Sequence, residues 1–268
     1  MWAEVGRRAA SFRARAGRPP GLAIVQTGDD PASAAYLRQI ERAFGARDLI
    51  VARHQVGADD GIEGLRRLLA RLASDETMHG VLVPQPLAPP FSLEAIFDGL
   101  PATKDVEGIH PLNAGALAQN RPAVVPSTPL AGMELLRAAG VDLAGRTAVV
   151  VGRSPIVGRP LALLLLGADA TVVVCHSRTA DLGRHIRQAD VLCVAAGRPG
   201  LVRGDMVQPG AVVVDFGINA VGDRLVGDVD FDEVAAVAGA LTPVPGGIGP
   251  ITTSVLARNL LDLAERGG

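Results

Sequence analysis

Apolar residues along this chain fall into two rhythms. Short runs of strand length alternate with longer stretches in which apolar positions recur every three or four residues, the pattern of βα units wound around a parallel sheet. Gly21–Gln26 and Gly80–Val83 predict strands, and Ser33–Phe44 and Ile62–Leu72 predict helices. Thr103–Ala116 breaks the rhythm, because its first half is polar and rich in turn formers, and predicts a segment lining a cleft. A second series begins near Leu143, with strands at Thr147–Val151, Ala170–Val174, Val191–Ala195 and Ala211–Val214 and a helix at Gly158–Leu166. Prolines and glycines between Leu241 and Thr252 disfavour regular structure, and a helical pattern from Thr253 to Arg266 follows, expected to return to the first domain. The expectation is an α/β protein of two α/β domains, residues 1–140 joined by a helix at 251–268 and a Rossmann-like domain at 141–250.

Composition narrows the class. A chain of 268 residues, 48% of them hydrophobic, can bury one large core or two modest ones. A formal charge of −2 argues against nucleic acid or an anionic membrane as a partner through bulk electrostatics. The arginine-rich start carries no apolar core with a cleavage site, and the leucine run at 161–166 is too short to span a bilayer, so a cytoplasmic protein with no membrane partner is expected. Cys175 and Cys193 sit in apolar strand-like runs without metal-ligand spacing, which predicts buried thiols and no metal site. Lys104 is the only lysine.

Candidate chemistry begins at the strand ending in Val151. It runs into Gly152-Arg153-Ser154 and on to Gly158, where glycines let backbone approach a ligand and the next helix offers unpaired N–H groups to an anion. The spacing is not the usual GxGxxG, and a plain structural turn is the alternative. In a dinucleotide fold the second strand ends at an acid that bonds the adenine ribose. Here it ends in Cys175-His176-Ser177-Arg178, and a hydroxyl and a guanidinium suit a 2′-phosphate, with Arg153 able to converge on it. NADP is therefore favoured over NAD; solvated surface arginines are the bland alternative. His176 lies at the presumed adenosine end, which favours a packing role over a catalytic one.

Several segments together resemble the bifunctional methylenetetrahydrofolate dehydrogenase/cyclohydrolase family. They are Thr27-Gly28-Asp29-Asp30-Pro31-Ala32-Ser33 with Tyr36, Lys104-Asp105-Val106-Glu107-Gly108-Ile109-His110-Pro111 with Asn113, Val150 to Ser154 with Ile156-Val157-Gly158, and Thr242 to Pro250. They keep the family's order across nearly the whole chain, although the chain begins late and is expected to lack the family's first short strand. The resemblance implies a homodimer with a tetrahydrofolate derivative in a cleft between two domains and NADP on the second. It implies Gly152, Arg153, Ser154, Ser177, Arg178 and Ile218 at the cofactor. It also implies Tyr36, Val83, Gln85, Glu107, Pro245, Gly246, Gly247 and Gly249 at the substrate. Hydride passes from the one-carbon bridge to the nicotinamide; in the second activity water attacks the methenyl carbon, aided by a lysine four residues after the tyrosine and by a glutamine.

This chain departs from that pattern in three places. Ile40 stands at the lysine position and can neither transfer a proton nor stabilise an oxyanion. Pro84 stands at the glutamine position, and the adjacent Gln85 points to the opposite face of an extended segment unless the register slips. Glu107 replaces the second aspartate of the family's Asp-Val-Asp-Gly, one methylene longer. The expectation is an NADP-dependent methylenetetrahydrofolate dehydrogenase with cyclohydrolase activity lost or strongly impaired. An oxidoreductase for another imine-type carbon–nitrogen substrate and a catalytically silent folate or nucleotide binder stay open.

Overall fold

The computed structural model describes residues 1–28, 31–222 and 224–267. Asp29 and Asp30 of the first motif, and the side chain of Ser33, lie outside the described residues. The chain divides into two compact units, 1–116 with 123–125 and 253–268, and 117–122 with 126–252.

In the first unit, α1 (Trp2–Ala16) precedes β1 (Gly21–Thr27), α2 (Pro31–Gly45), β2 (Ile50–Val56), α3 (Gly61–Ser74), β3 (Gly80–Leu82) and α4 (Leu93–Gly99). The strands form a parallel sheet in the order β2-β1-β3. Every residue of β1 is buried, as a central strand covered on both faces must be. Leu22, Ile24 and Leu82 face one cluster with Leu37, Ile40 and Phe44 of α2, and Leu256 and Leu260 join it from the last helix. Ala23, Val25, Val81 and Val83 face the other, with Leu65, Leu69 and Leu72 of α3 and Ala95 and Ile96 of α4. This alternation fixes the register, since a one-residue slip would exchange the two faces.

The segment expected to line a cleft turns helical at its end. α5 (Pro111–Ala118) starts on a proline, whose missing N–H costs nothing in a first helical turn, and buries none of its residues. α6 (Ser127–Ala138) belongs to the second unit, so the division falls at Pro126 and not after residue 140. Its Gly132 sits against the Phe216 ring so closely that a Cβ would lie 2.4 Å from Cζ, a contact that ties α6 to the second sheet.

That sheet is built from β4 (Thr147–Val151), α7 (Gly158–Gly167), β5 (Thr171–Cys175), α8 (Leu182–Ile186), β6 (Val191–Val194) and β7 (Val212–Asp215). A hairpin of β8 (Asn219–Val221) and β9 (Arg224–Val226) forms a separate two-stranded sheet, and after α9 (Phe231–Ala235) the last strand, β10 (Ala240–Leu241), joins the main one. The five parallel strands run in the order β10-β7-β6-β4-β5, a doubly wound sheet whose strand order reverses beside β4. α10 (Ile248–Gly267) begins earlier than the expected Thr253, inside the Pro-Gly stretch, because Pro250 falls in its first turn and blocks no helical hydrogen bond. Its residues from Thr253 belong to the first unit. Among the described residues no helix is long and apolar enough to cross a membrane.

Candidate functional site

At the carboxyl end of β4, Gly152 has φ 139°, and a Cβ there would lie 2.2 Å from the Ala195 carbonyl oxygen. Only glycine fits both conditions. Gly152 N–H donates to the Cys175 carbonyl at 2.8 Å, joining the ends of β4 and β5. Ser154 Oγ accepts from the backbone N–H groups of Val157 (3.1 Å) and Gly158 (3.3 Å), closing the turn into α7. A Cβ on Gly158 would lie 2.2 Å from the Gly152 carbonyl oxygen, so the helix start is pressed directly against the loop.

Val151 pairs with Cys175, so Arg153 and the pair Ser177 and Arg178 leave the sheet from neighbouring strand ends. All three side chains are exposed. His176 Nδ1 accepts from Arg178 N–H at 3.1 Å while His176 N–H donates to Thr179 Oγ1 at 2.9 Å, so the imidazole shapes the turn that presents Ser177 and Arg178. Ile218 follows β7, two strands from β4, and is 69% exposed. That spacing corresponds to roughly 10 Å between the two loops.

Two aspartates that the sequence reading missed hold this end of the sheet. Asp215, at the end of β7, accepts backbone N–H bonds from Gly217 (2.8 Å), Asp228 (3.1 Å) and Val229 (2.9 Å). Burial pushes its carboxyl above the usual range, against the pull of those donors. Asp228 is fully buried and accepts from the N–H groups of Ala196 (2.6 Å), Gly197 (2.8 Å) and Arg198 (2.8 Å), and from the Asn219 amide (2.8 Å). Asp215 thus draws the segment carrying Asp228 to the sheet, and Asp228 sets the loop after β6. Their only sequence signal is a glycine before Asp228, which is no more than a turn former.

Pro245, Gly246, Gly247 and Gly249 belong to the same unit as these loops. Gly246 has φ 104°, and a Cβ on Gly247 would lie 2.6 Å from the Pro243 carbonyl oxygen. Thr242, just before them, accepts the Asp215 N–H through Oγ1 at 2.8 Å.

The remaining candidates lie in the first unit. Tyr36 and Ile40 are one turn apart on α2; Tyr36 is half-buried against the cluster that Ile40 occupies with no exposed surface. Val83 is buried on the α3 side of the sheet. Pro84 and Gln85 follow the end of β3, outside the strand, so its alternation does not extend to them, and Gln85 sits in a bend. The loop carrying Glu107 runs beside β3: Val81 N–H donates to the Lys104 carbonyl at 2.7 Å, and Val81 bridges Asp105. The buried Asp105 carboxylate organises that loop by accepting from Glu107 N–H (3.2 Å), His110 N–H (2.7 Å) and Asn113 Nδ2 (2.9 Å). Burial nevertheless raises its pKa.

Lys104 is committed elsewhere. Its Nζ donates to the carbonyls of Leu72 (2.8 Å) and Asp75 (2.6 Å), capping the end of α3, and burial lowers its pKa. Cys175 and Cys193 are buried free thiols, and burial pushes the latter up to about 12.

The second unit is by this geometry a doubly wound nucleotide-binding domain with glycine-lined strand ends, and the first an α/β unit with polar groups at the carboxyl end of its sheet. Residues 1–107 match the tetrahydrofolate dehydrogenase/cyclohydrolase catalytic domain and residues 126–267 the NAD(P)-binding domain of the same family. The chain is 50% identical to the bifunctional protein FolD of Chloroflexus aurantiacus over 260 residues, 97% of this chain and 91% of that one. It is 52% identical to the corresponding protein of Thermomicrobium roseum over 248 residues, 92% of this chain and 85% of that one. The crystal structure of the Campylobacter jejuni bifunctional FolD superposes with a TM-score of 0.95 at 39% identity, covering 99% of this chain and 94% of that one. The Trypanosoma brucei dehydrogenase-cyclohydrolase, solved with NADP cofactor and inhibitor, gives 0.95 at 38% identity, covering 99% and 93%. The chain belongs to the tetrahydrofolate dehydrogenase/cyclohydrolase family.

Proposed function

We propose that this protein is an NADP-dependent 5,10-methylenetetrahydrofolate dehydrogenase in which methenyltetrahydrofolate cyclohydrolase activity is lost or strongly impaired. The observation that carries the second half is Ile40, fully buried in hydrocarbon at the position where the family resemblance calls for a lysine. The only lysine of the chain cannot substitute, because its ammonium is spent on two carbonyls at the end of α3. Losing a general acid-base group costs about 10²- to 10⁴-fold in rate.

The dehydrogenase half needs two ligands held in line more than it needs proton chemistry. The tight Gly152–Gly158 turn and the braced loops after β6 and β7 support that role for the second unit. Arg153, Ser177 and Arg178 leaving adjacent strand ends support NADP, whose 2′-phosphate takes charge-assisted bonds from guanidinium groups. Tyr36, Val83 and Glu107 take the folate in this reading, and the active form is a homodimer.

Pure protein is mixed with 5,10-methylenetetrahydrofolate and NADP, and NADPH and methenyl product are followed by absorbance; decay of added methenyltetrahydrofolate is followed separately. The expected result is NADPH formation with methenyl decay at the spontaneous rate. Clear acceleration of methenyl decay overturns the loss of hydrolysis, and cofactor binding without any absorbance change overturns the dehydrogenase. Sedimentation at micromolar concentration tests the dimer.

A further inference from the structure

Four amide side chains stand near the carboxyl ends of the first sheet and the loop beside it, and three of them are hydrogen-bonded. Gln26 accepts from Arg53 through Oε1 at 2.6 Å and donates from Nε2 to the Gly28 carbonyl at 3.0 Å, with Arg53 held in turn by Glu41 at 3.4 Å. Gln55 Nε2 donates to the same carbonyl at 3.2 Å. Asn113 Nδ2 donates to Ala102 and Asp105. Gln85 differs: among the described residues its Nε2 is the one buried side-chain nitrogen or oxygen atom with no hydrogen-bond partner. A buried donor left unpaired is destabilising, and natural proteins rarely retain one without a reason. An apolar side chain would fill this place at no such cost; the resemblance puts leucine here, in its Leu-Pro-Leu-Pro run.

We propose that Gln85 is a specificity-determining residue of the substrate site, its Nε2 donating to an acceptor atom, a carbonyl oxygen or an unprotonated ring nitrogen, of the bound folate heterocycle. The assignment rests on the folate reading above and adds to it a donor that the resemblance does not supply. Three features carry it. Gln85 follows β3 by three residues, and the loop that carries Glu107 is bridged to that strand at Val81 and Asp105, so a donor and a carboxylate acceptor belong to adjoining segments. A planar heterocycle with both donor and acceptor edges is met by that pair. Gln26, by contrast, already holds Arg53 and the Gly28 carbonyl. Pro84 offers neither a side-chain amide nor a backbone N–H.

The test compares wild type with Gln85→Met, which keeps the volume and removes the amide, and with Gln85→Glu, which replaces the donor by an acceptor. Melting temperature without ligand is measured alongside kcat and KM for hydride transfer. The expected result is that Gln85→Met melts at or above the wild-type temperature, while its KM for methylenetetrahydrofolate rises about tenfold and kcat and the NADP KM stay within about twofold. Gln85→Glu should raise the folate KM further. A Gln85→Met variant with higher melting temperature and unchanged folate KM identifies the amide as a packing defect and overturns this assignment alone. Wild-type protein that neither binds nor oxidises the folate overturns the folate reading, and the assignment with it.

Discussion

The carboxyl ends of the two parallel sheets differ in how completely their polar groups are used. In the second unit the loops after β6 and β7 are saturated: Asp215 takes three backbone donors and Asp228 three more with an amide. In the first, hydrocarbon stands where the resemblance places a lysine and a glutamine, and one buried amide donor has no acceptor. Hydride transfer depends on geometry that backbone can supply, whereas activation of water depends on particular side chains. A chain can therefore lose the second chemistry by two substitutions while the framework for the first stays intact.

The largest effect is expected where backbone touches backbone. Gly158→Val puts a branched side chain into the Gly152 carbonyl, a cost above about 4 kcal/mol. It should abolish the NADP-induced rise in melting temperature; a variant that still binds NADP normally would show that the turn is not part of the cofactor site. Next comes the attempt to erase the difference between the units. Ile40→Lys with Pro84→Gln should raise methenyl hydrolysis about 10²-fold or more, at a loss of roughly 2–4 kcal/mol in urea unfolding, because a buried ammonium replaces a core isoleucine. A folded double variant without hydrolysis would show that these two positions are not what the reaction lacks.

Asp228→Ala follows in size. It strands three N–H groups in the loop after β6, a cost of about 3 kcal/mol, and should raise the NADP KM well beyond the folate KM. Equal rises in both would break the claim that this loop serves the cofactor.

Legibility in sequence followed the same divide between local pattern and distant contact. β1, α2, α3, β4 and α7 were legible because their apolar periods are strong and their faces simple. β2 was not: as an edge strand it mixes Arg53, His54 and Gln55 among its apolar residues, and only Val56 is buried. The boundary at Pro126 was hidden because Gly132 owes its packing to Phe216, far along the chain. Asp228 was invisible because its partners lie 30 to 32 residues earlier, and no short-range spacing announces them. The expectation that positions 40 and 84 depart from the family could be read only against its motif. The structure adds that Ile40 has no exposed surface and packs with Leu37 and Phe44.

The smallest effect, and the finest test of the second unit, concerns Arg178. It is exposed, so its attraction for a phosphate is screened, and a single charge-assisted contact there is worth about 1–1.5 kcal/mol. Arg178→Ala should raise the NADP KM about tenfold and leave the NAD KM unchanged, since NAD carries no 2′-phosphate to lose. Arg153→Ala should act in the same direction, because its loop leaves the neighbouring strand end. The preference for NADP should also weaken as salt rises, more in wild type than in either variant. If both variants keep the wild-type ratio of NADP to NAD efficiency, these arginines are solvated surface charges, and the cofactor is selected by groups on the loops that Asp215 and Asp228 hold.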